Sequence, residues 1–252
     1  MRHKILASVA LALLSSSAFA ADDSSWTGWY LGANVGRGNV DSTSEPTLGG
    51  TWLQPTYDGN RAELVRIWSI DQDGNGFQGG IQGGYNHQFD RVVVGIELDY
   101  GTTNVNALDR VGPVQMTTAP AQLQATHAFD TGASYSLRPR IGFTVNDNKT
   151  LLYATAGVSY LKVKSQTDLF IPISNYSKYG EAEKTVNGFT WGVGVEHRFN
   201  PRWSAKFEYV RANLGDFSYG LADRTGTSMG ATETFTRDTE YNAFRIGLNY
   251  HF

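Results

Sequence analysis

Apolar and polar residues alternate along much of this chain with a period of two. In Tyr241–Phe252, Phe244, Ile246, Leu248, Tyr250 and Phe252 alternate with Ala243, Arg245, Gly247, Asn249 and His251, which predicts a strand with one apolar face. The same pattern predicts strands at Trp26–Val35, Gly76–Phe89, Val92–Tyr100, Tyr135–Val145, Leu151–Lys162, Asn187–Phe199 and Trp203–Arg211. Three connections are short (Asp90-Arg91, Asn146 to Lys149, Asn200 to Arg202), and they alternate with long ones at 36–75, 101–134, 163–186 and 212–240. Strands of this kind need their apolar face covered and their edges paired. The pattern therefore predicts an all-β fold, an eight-stranded antiparallel transmembrane β-barrel with short periplasmic turns and four long extracellular loops.

The two faces differ in chemistry. One carries Val92, Val94, Ile96, Leu98, Tyr100, Leu137, Ile141, Phe143, Trp191, Val193, Phe207 and Tyr209, without a charge. Aromatic residues gather at the strand ends, with Phe89, Phe199, Trp203, Tyr250 and Phe252 at the turn side and Tyr100, Tyr160, Phe189 and Tyr209 at the loop side, as in interfacial girdles. The opposite face carries Glu97, Asp99, Arg138, Arg140, Glu196, Arg198, Lys206, Glu208 and Arg245 among many glycines. Eight strands leave an interior just wide enough for side chains to fill. Four acids against five bases are expected to pair there and offset their desolvation, with Glu97 and Asp99 near Arg138 and Arg140, Glu196 beside Lys206, and Arg245 toward Glu208. A plugged lumen follows. Pro139, on the lipid side, predicts a bulge or local irregularity. Trp52–Tyr57 and Ala62–Ile70, around Asp58-Gly59, predict a hairpin above the membrane, or two further strands.

Residues 1–20 read as a cleaved export signal: Arg2, His3 and Lys4, an apolar run from Ile5 to Leu14, and Ala18-Phe19-Ala20. The barrel domain is then 21–252. The apolar run is too short for a spanning helix of about 20 residues. Loss of Arg2 and Lys4 takes the formal charge from −3 to −5, too acidic to track nucleic acid. With no cysteine, disulfides and thiolate metal sites are excluded. The mean hydropathy of −0.33 suits a barrel in which only alternate strand residues face lipid.

Local motifs carry little chemistry. Asp71, Asp73, Asn75 and Gly76 resemble the start of a calcium loop, but the twelfth position is Gln82 and lacks the bidentate carboxylate. Gly74, Gly76 and Gly79 are followed by no helix that would receive a phosphate. His87 and His197 fall on the lipid side near the turns, His251 in the lumen and His127 in a loop, and a catalytic base needs its nucleophile within hydrogen-bond reach. Catalytic residues, metal ligands and cofactors are all expected to be none.

Gly76–Asn86, Leu137–Phe143, Leu151–Val158 and Trp191–Glu196 with Phe207-Glu-Tyr209 resemble the OmpA-like and opacity-porin-like superfamily of small outer-membrane barrels, and within it the outer-membrane immunogenic proteins of Gram-negative bacteria. Pro139 departs from that pattern, where glycine is usual. The resemblance implies residence in the cell outer membrane among lipid and lipopolysaccharide. It also implies insertion by the barrel-assembly machinery, with Tyr250 and Phe252 as the assembly signal. Members are called porins, surface antigens, adhesins and haem-binding proteins, so the resemblance leaves activity open. The expected role is non-enzymatic: envelope integrity, with loops 36–75 and 212–240 binding an external ligand. The alternative is a narrow porin-like channel in which Glu97, Arg138, Arg140, Glu208 and Arg245 set selectivity.

Overall fold

Strand alternation continues well past the apolar bands that announce it. The computed structural model describes residues 25–252; the expected leader lies outside them. Its strands are β1 Gly28–Gly50, β2 Ile70–Phe89, β3 Val92–Asn104, β4 Asn106–Gln115, β5 Gln122–Val145, β6 Thr150–Ile171, β7 Tyr176–Asn200, β8 Trp203–Gly220, β9 Ala222–Asp223 and β10 Ala231–His251, with one helix, α1, at Asp58–Trp68. All pairings are antiparallel, and β1, β2, β3, β5, β6, β7, β8 and β10 form a ring of eight. β1 meets β10 in unbroken register from Tyr30↔His251 to Gly50↔Ala231.

Spanning a bilayer takes about 9–11 tilted strand residues, yet β1 has 23, β5 has 24 and β7 has 25. The excess forms a head above the membrane band. Most of each stretch expected to be a long loop is thus strand, leaving connections at 51–69, 116–121, 172–175 and 221–230. At the boundary, outward apolar residues give way to Arg211 with Glu240 (2.5 Å) and Lys162 with Glu183 (2.6 Å).

The head is not a simple continuation of the ring. β2 pairs with β3 only from Phe77 down, and β7 pairs with β8 only from Phe189 down. β4 carries the line of β3 past Val105 and pairs with the upper part of β5. Above these points β2-β1-β10-β8 and β4-β5-β6-β7 part around an apolar interior, and β9, following β8, bridges back to β7 at Lys178↔Asp223 and Tyr179↔Ala222. The lower apolar layer is Val40, Val105, Phe129, Leu161, Val163, Val186, Ala212 and Leu214. The upper one is built around Phe235, Leu123, Leu169, Trp52 and Trp68.

Two local expectations are corrected, the second in part. The predicted hairpin is instead two 3₁₀ turns and α1, because Leu64, Ile67 and Trp68, spaced by three and four, all reach the buried side of a helix. Pro139 makes no bulge, since β5 keeps one register against β6 from Leu137↔Val158 to Arg140↔Thr155, but Arg138 and Pro139 drop out of that ladder, which is the local irregularity expected. The hydroxyl of Thr155 donates to the Pro139 carbonyl at 2.8 Å.

Candidate functional site

Successive inward positions of β3, β5, β7, β8 and β10 bring the nine predicted charges into the lumen, where all are buried. Glu97 is the hub. Its carboxylate accepts from Arg138 Nη2 (2.9 Å), Lys206 Nζ (2.8 Å) and Tyr30 Oη (2.9 Å). Arg138 also donates to Asp99 (2.6 Å), and Arg245 Nη1 to Asp99 (2.9 Å). Arg245 pairs with Glu208, which also accepts from Tyr153 Oη (3.1 Å).

Nearer the turns, Glu196 accepts from Arg140 (3.1 Å), Ser204 (2.5 Å) and Asn249 (2.7 Å). Glu196 and Lys206 face each other in register, but their side chains part. Lys206 crosses the lumen to Glu97, and Arg140 comes across to Glu196. Side-chain reach across a narrow ring, rather than strand adjacency, chooses these partners. The Arg140 guanidinium also lies over the Tyr30 ring, 4.7 Å from its centroid. Gly84 and Gly194 make room for this packing: a Cβ there would come within 2.5 Å of the Tyr30 and Tyr153 side chains, respectively.

Among the described residues Arg198 pairs with no carboxylate. It donates to the Ser25 carbonyl (2.6 Å), approaches His251 Nδ1 (3.1 Å) and covers Trp26 at 4.5 Å. Ser204 Oγ lies 2.9 Å from His251 Nε2, a spacing that a nucleophile and base would share. The second ring nitrogen faces a guanidinium instead of a carboxylate, and the serine itself donates to Glu196. Both residues are buried. The arrangement pins the turn end of the lumen and gives a reacting substrate no access.

Above the network, a mainly apolar cavity of about 50 Å³ is lined by Leu161, Val210, Ala212 and Leu214 together with Asp99, Arg138, Tyr241 and Arg245. The lower apolar layer of the head closes over it. Asp71, Asp73 and Asn75, the partial calcium motif, stand on the outer face of β2 and do not form a loop. Asp71 accepts from Thr43 and Asn75 from Arg37.

The head holds functional groups that the sequence reading missed. Glu233, buried at the top, accepts from Trp52 and Tyr176 and lies 3.5 Å from Lys178. Glu63 fastens α1 to the tip between β4 and β5. Its Oε1 accepts from Thr117 N (2.9 Å) and Oγ1 (3.0 Å), and its Oε2 from Thr118 N (3.0 Å) and Oγ1 (2.6 Å). Led by the Thr118 hydroxyl, these donors hold the carboxyl down to about 2. Little of Glu63 is solvent-accessible, but the protein around it is thin, so hydrogen bonding outweighs desolvation.

His127 was expected in a loop. It is fully buried in β5, where burial first and the Arg237 charge second push it down to about 4. A sequence signal for this region existed, since Val163, Leu169 and Ile171 continue the parity of Leu161 beyond the predicted strand.

Residues 7–252 match the model of the outer membrane protein beta-barrel domain. The chain is 31% identical over 270 residues to a 31 kDa outer-membrane immunogenic protein of Brucella melitensis, covering 100% of both chains. It is 25% identical over 268 residues to a 25 kDa outer-membrane immunogenic protein of the same organism, covering 100% of this chain and 99% of the relative. Among solved structures, the outer membrane protein OprG of Pseudomonas aeruginosa superposes with a TM-score of 0.53 at 15% identity, over 91% of this chain and 98% of that one.

Proposed function

The chain belongs to the outer membrane protein β-barrel domain family, and from that premise we propose that it is a non-enzymatic, non-conducting surface barrel that holds a folded head outside the cell. Its home is the outer membrane of a Gram-negative bacterium, where its relatives are named immunogenic proteins. The observation that carries the reading is the filled interior: the salt-bridged lumen lies under an apolar core instead of opening into a water-filled vestibule. A charged constriction selects ions only if water reaches it from both sides.

The interaction surface is the top of the head. Leu53, Ile173 and Met229 are exposed there, on the connections at 51–69, 172–175 and 221–230. Thr51 hydrogen-bonds the Met229 carbonyl, and Thr227 donates to the Asn175 carbonyl at 3.0 Å. These bonds join the three tips into one surface for an external ligand. At the other end, Phe252 donates its N–H to the Trp29 carbonyl (3.0 Å) and packs on Tyr250, and the pair serves as the assembly signal. Planar-bilayer recording of the refolded protein tests the reading: membranes should stay silent. Steady conductance that changes when Arg138 and Arg140 are replaced by alanine would instead establish the narrow-channel alternative.

A further inference from the structure

Between the two apolar layers of the head lies a polar layer that neither the lumen network nor the surface reading uses. Its centre is Arg237 on β10, which is 0% exposed. In register beside it on β1 stand Ser44, opposite Arg237, and Ser42, opposite Thr239; Gln72 on β2 is opposite Ser42 on the other side. Phe129 lies under the guanidinium, 5.1 Å from ring centroid to Cζ. From the facing strands comes His127, whose carbonyl accepts from Gln72 Nε2 (3.2 Å) and whose Nδ1 lies 3.1 Å from Thr167 Oγ1.

Arg237 differs from the other buried arginines in its surroundings. Arg138, Arg140 and Arg245 each meet carboxylates, and Arg198 has carbonyl and ring partners. Among the described residues the Tyr219 hydroxyl lies near the guanidinium, and Arg237 makes one well-formed hydrogen bond, from Nη1 to Ser42 Oγ (3.2 Å). Its Nε and Nη2 have no partner, and neither do Ser44 Oγ, Thr239 Oγ1 and His127 Nε2. Such groups lose their solvation on burial and demand an acceptor. The nearest carboxylate in the layer, Asp109, is engaged by Gln72 (2.8 Å).

We propose that this layer is an internal anion site, in which Arg237 Nε and Nη2, with the hydroxyls of Ser44 and Thr239, hold one monovalent, halide-sized inorganic anion. The donor set explains the charge, because one guanidinium whose neighbouring carboxylate, Asp109, is turned to Gln72 can balance at most a single negative charge. The walls explain the size. Val40, Phe129 and Val163 below and Phe235, Leu123 and Leu169 above are all buried, and such apolar walls favour a small, weakly hydrated ion over a tetrahedral oxyanion with its hydration. His127 Nε2 would add a further donor in the neutral tautomer whose Nδ1 accepts from the Thr167 hydroxyl. The anion would be structural, neutralising a charge on which the two halves of the head close.

The test uses the full mature barrel refolded in detergent micelles. Crystals grown in sodium bromide should show an anomalous peak beside the Arg237 guanidinium. In solution, gluconate is exchanged for chloride at constant ionic strength. The unfolding equilibrium constant of the head should then fall by up to tenfold for each tenfold rise in chloride above its dissociation constant. Arg237→Met should abolish that response. If this variant fails to assemble, Ser44→Ala with Thr239→Val keeps the cation and should weaken the response severalfold. Bromide peaks confined to the surface, an ordered water in place of the ion, or an equal chloride response in wild type and variants would overturn the proposal.

Discussion

The membrane section and the head are built from the same strands, yet they are inside-out versions of each other. Along β6, the even positions Leu152, Ala154, Ala156, Val158 and Tyr160 face outward and are apolar. A few residues on, Lys162, Lys164, Gln166 and Asp168 occupy the same outward face, while Leu161, Val163, Leu169 and Ile171 turn inward. Strand direction and parity do not change. The solvent does: where lipid surrounds the ring, polarity goes inside and must be paired, and where water surrounds it, the hydrophobic effect returns the apolar face to the core. One strand can therefore serve two solvents by inverting its pattern at one level.

If the two regions depend on different forces, they should fail differently. The largest effect is expected from Glu97→Ala, which removes the hub of the lumen, leaves Lys206 without a carboxylate partner and leaves Arg138 with only Asp99 and a longer contact to Glu208. Breaking a buried ion pair from one side costs about 3–5 kcal/mol, against a total of about 5–15 kcal/mol for a typical domain. Urea unfolding in micelles should show a large loss of stability, and the heat-modifiable band on gels should fade. A Glu97→Ala barrel as stable as wild type would mean that the network contributes nothing to assembly.

Phe235→Ala addresses the head alone. Phe235 is fully buried in the upper apolar layer and stacks beside Tyr219 and His127. Truncating such a ring costs about 3–5 kcal/mol, part of which collapse of the small domain recovers, so the effect should be somewhat below that of Glu97→Ala. Protease should then cut in the upper parts of β6, β7 or β10, while the heat-modifiable membrane section stays intact. Simultaneous loss of both would show that head and ring fold as one cooperative unit, and the comparison would break.

The membrane section was largely legible in the sequence because an uncharged outward face, glycines inward and aromatic ends all agree there. The nine lumen charges could be placed by parity alone. Some of their partners could be placed too, since Arg138 with Glu97 and Arg245 with Glu208 are register neighbours; the others could not, since Lys206 bypasses its register neighbour Glu196 to reach Glu97 across the ring. The head was hidden for a physical reason. A search for apolar residues on the lipid side ends where the pattern inverts, and two interruptions shift the parity: the register shift between Thr131 and Ser134 in β5, and Gly215, at φ 69°, in β8. In α1, the alternation of Ala62, Leu64 and Arg66 masked the spacing of Leu64, Ile67 and Trp68.

The smallest expected effect sharpens the comparison at the edge of the head, where Glu63 ties α1 to Thr117 and Thr118. Its carboxyl titrates at about 2 in the folded protein against an ordinary value of about 4.3 for an unfolded chain. A depressed folded value means that the charged latch stabilises the folded state at every pH above the unfolded pKa, and that this contribution is lost as pH falls from about 4.3 through 2. Glu63→Gln imitates the protonated state at neutral pH: one oxygen still accepts, but an amide N–H₂ is set against one pair of threonine donors. Amide hydrogen exchange in α1 should be faster in the variant at pH 7, with the lumen strands unchanged. Lowering the pH from 5 to 3 should accelerate exchange in the wild-type helix toward the rate of the variant and leave the variant's own rate nearly flat after correction for intrinsic exchange. Parallel pH responses in the two proteins would assign the acid sensitivity of the head to another carboxylate and remove Glu63 as its latch.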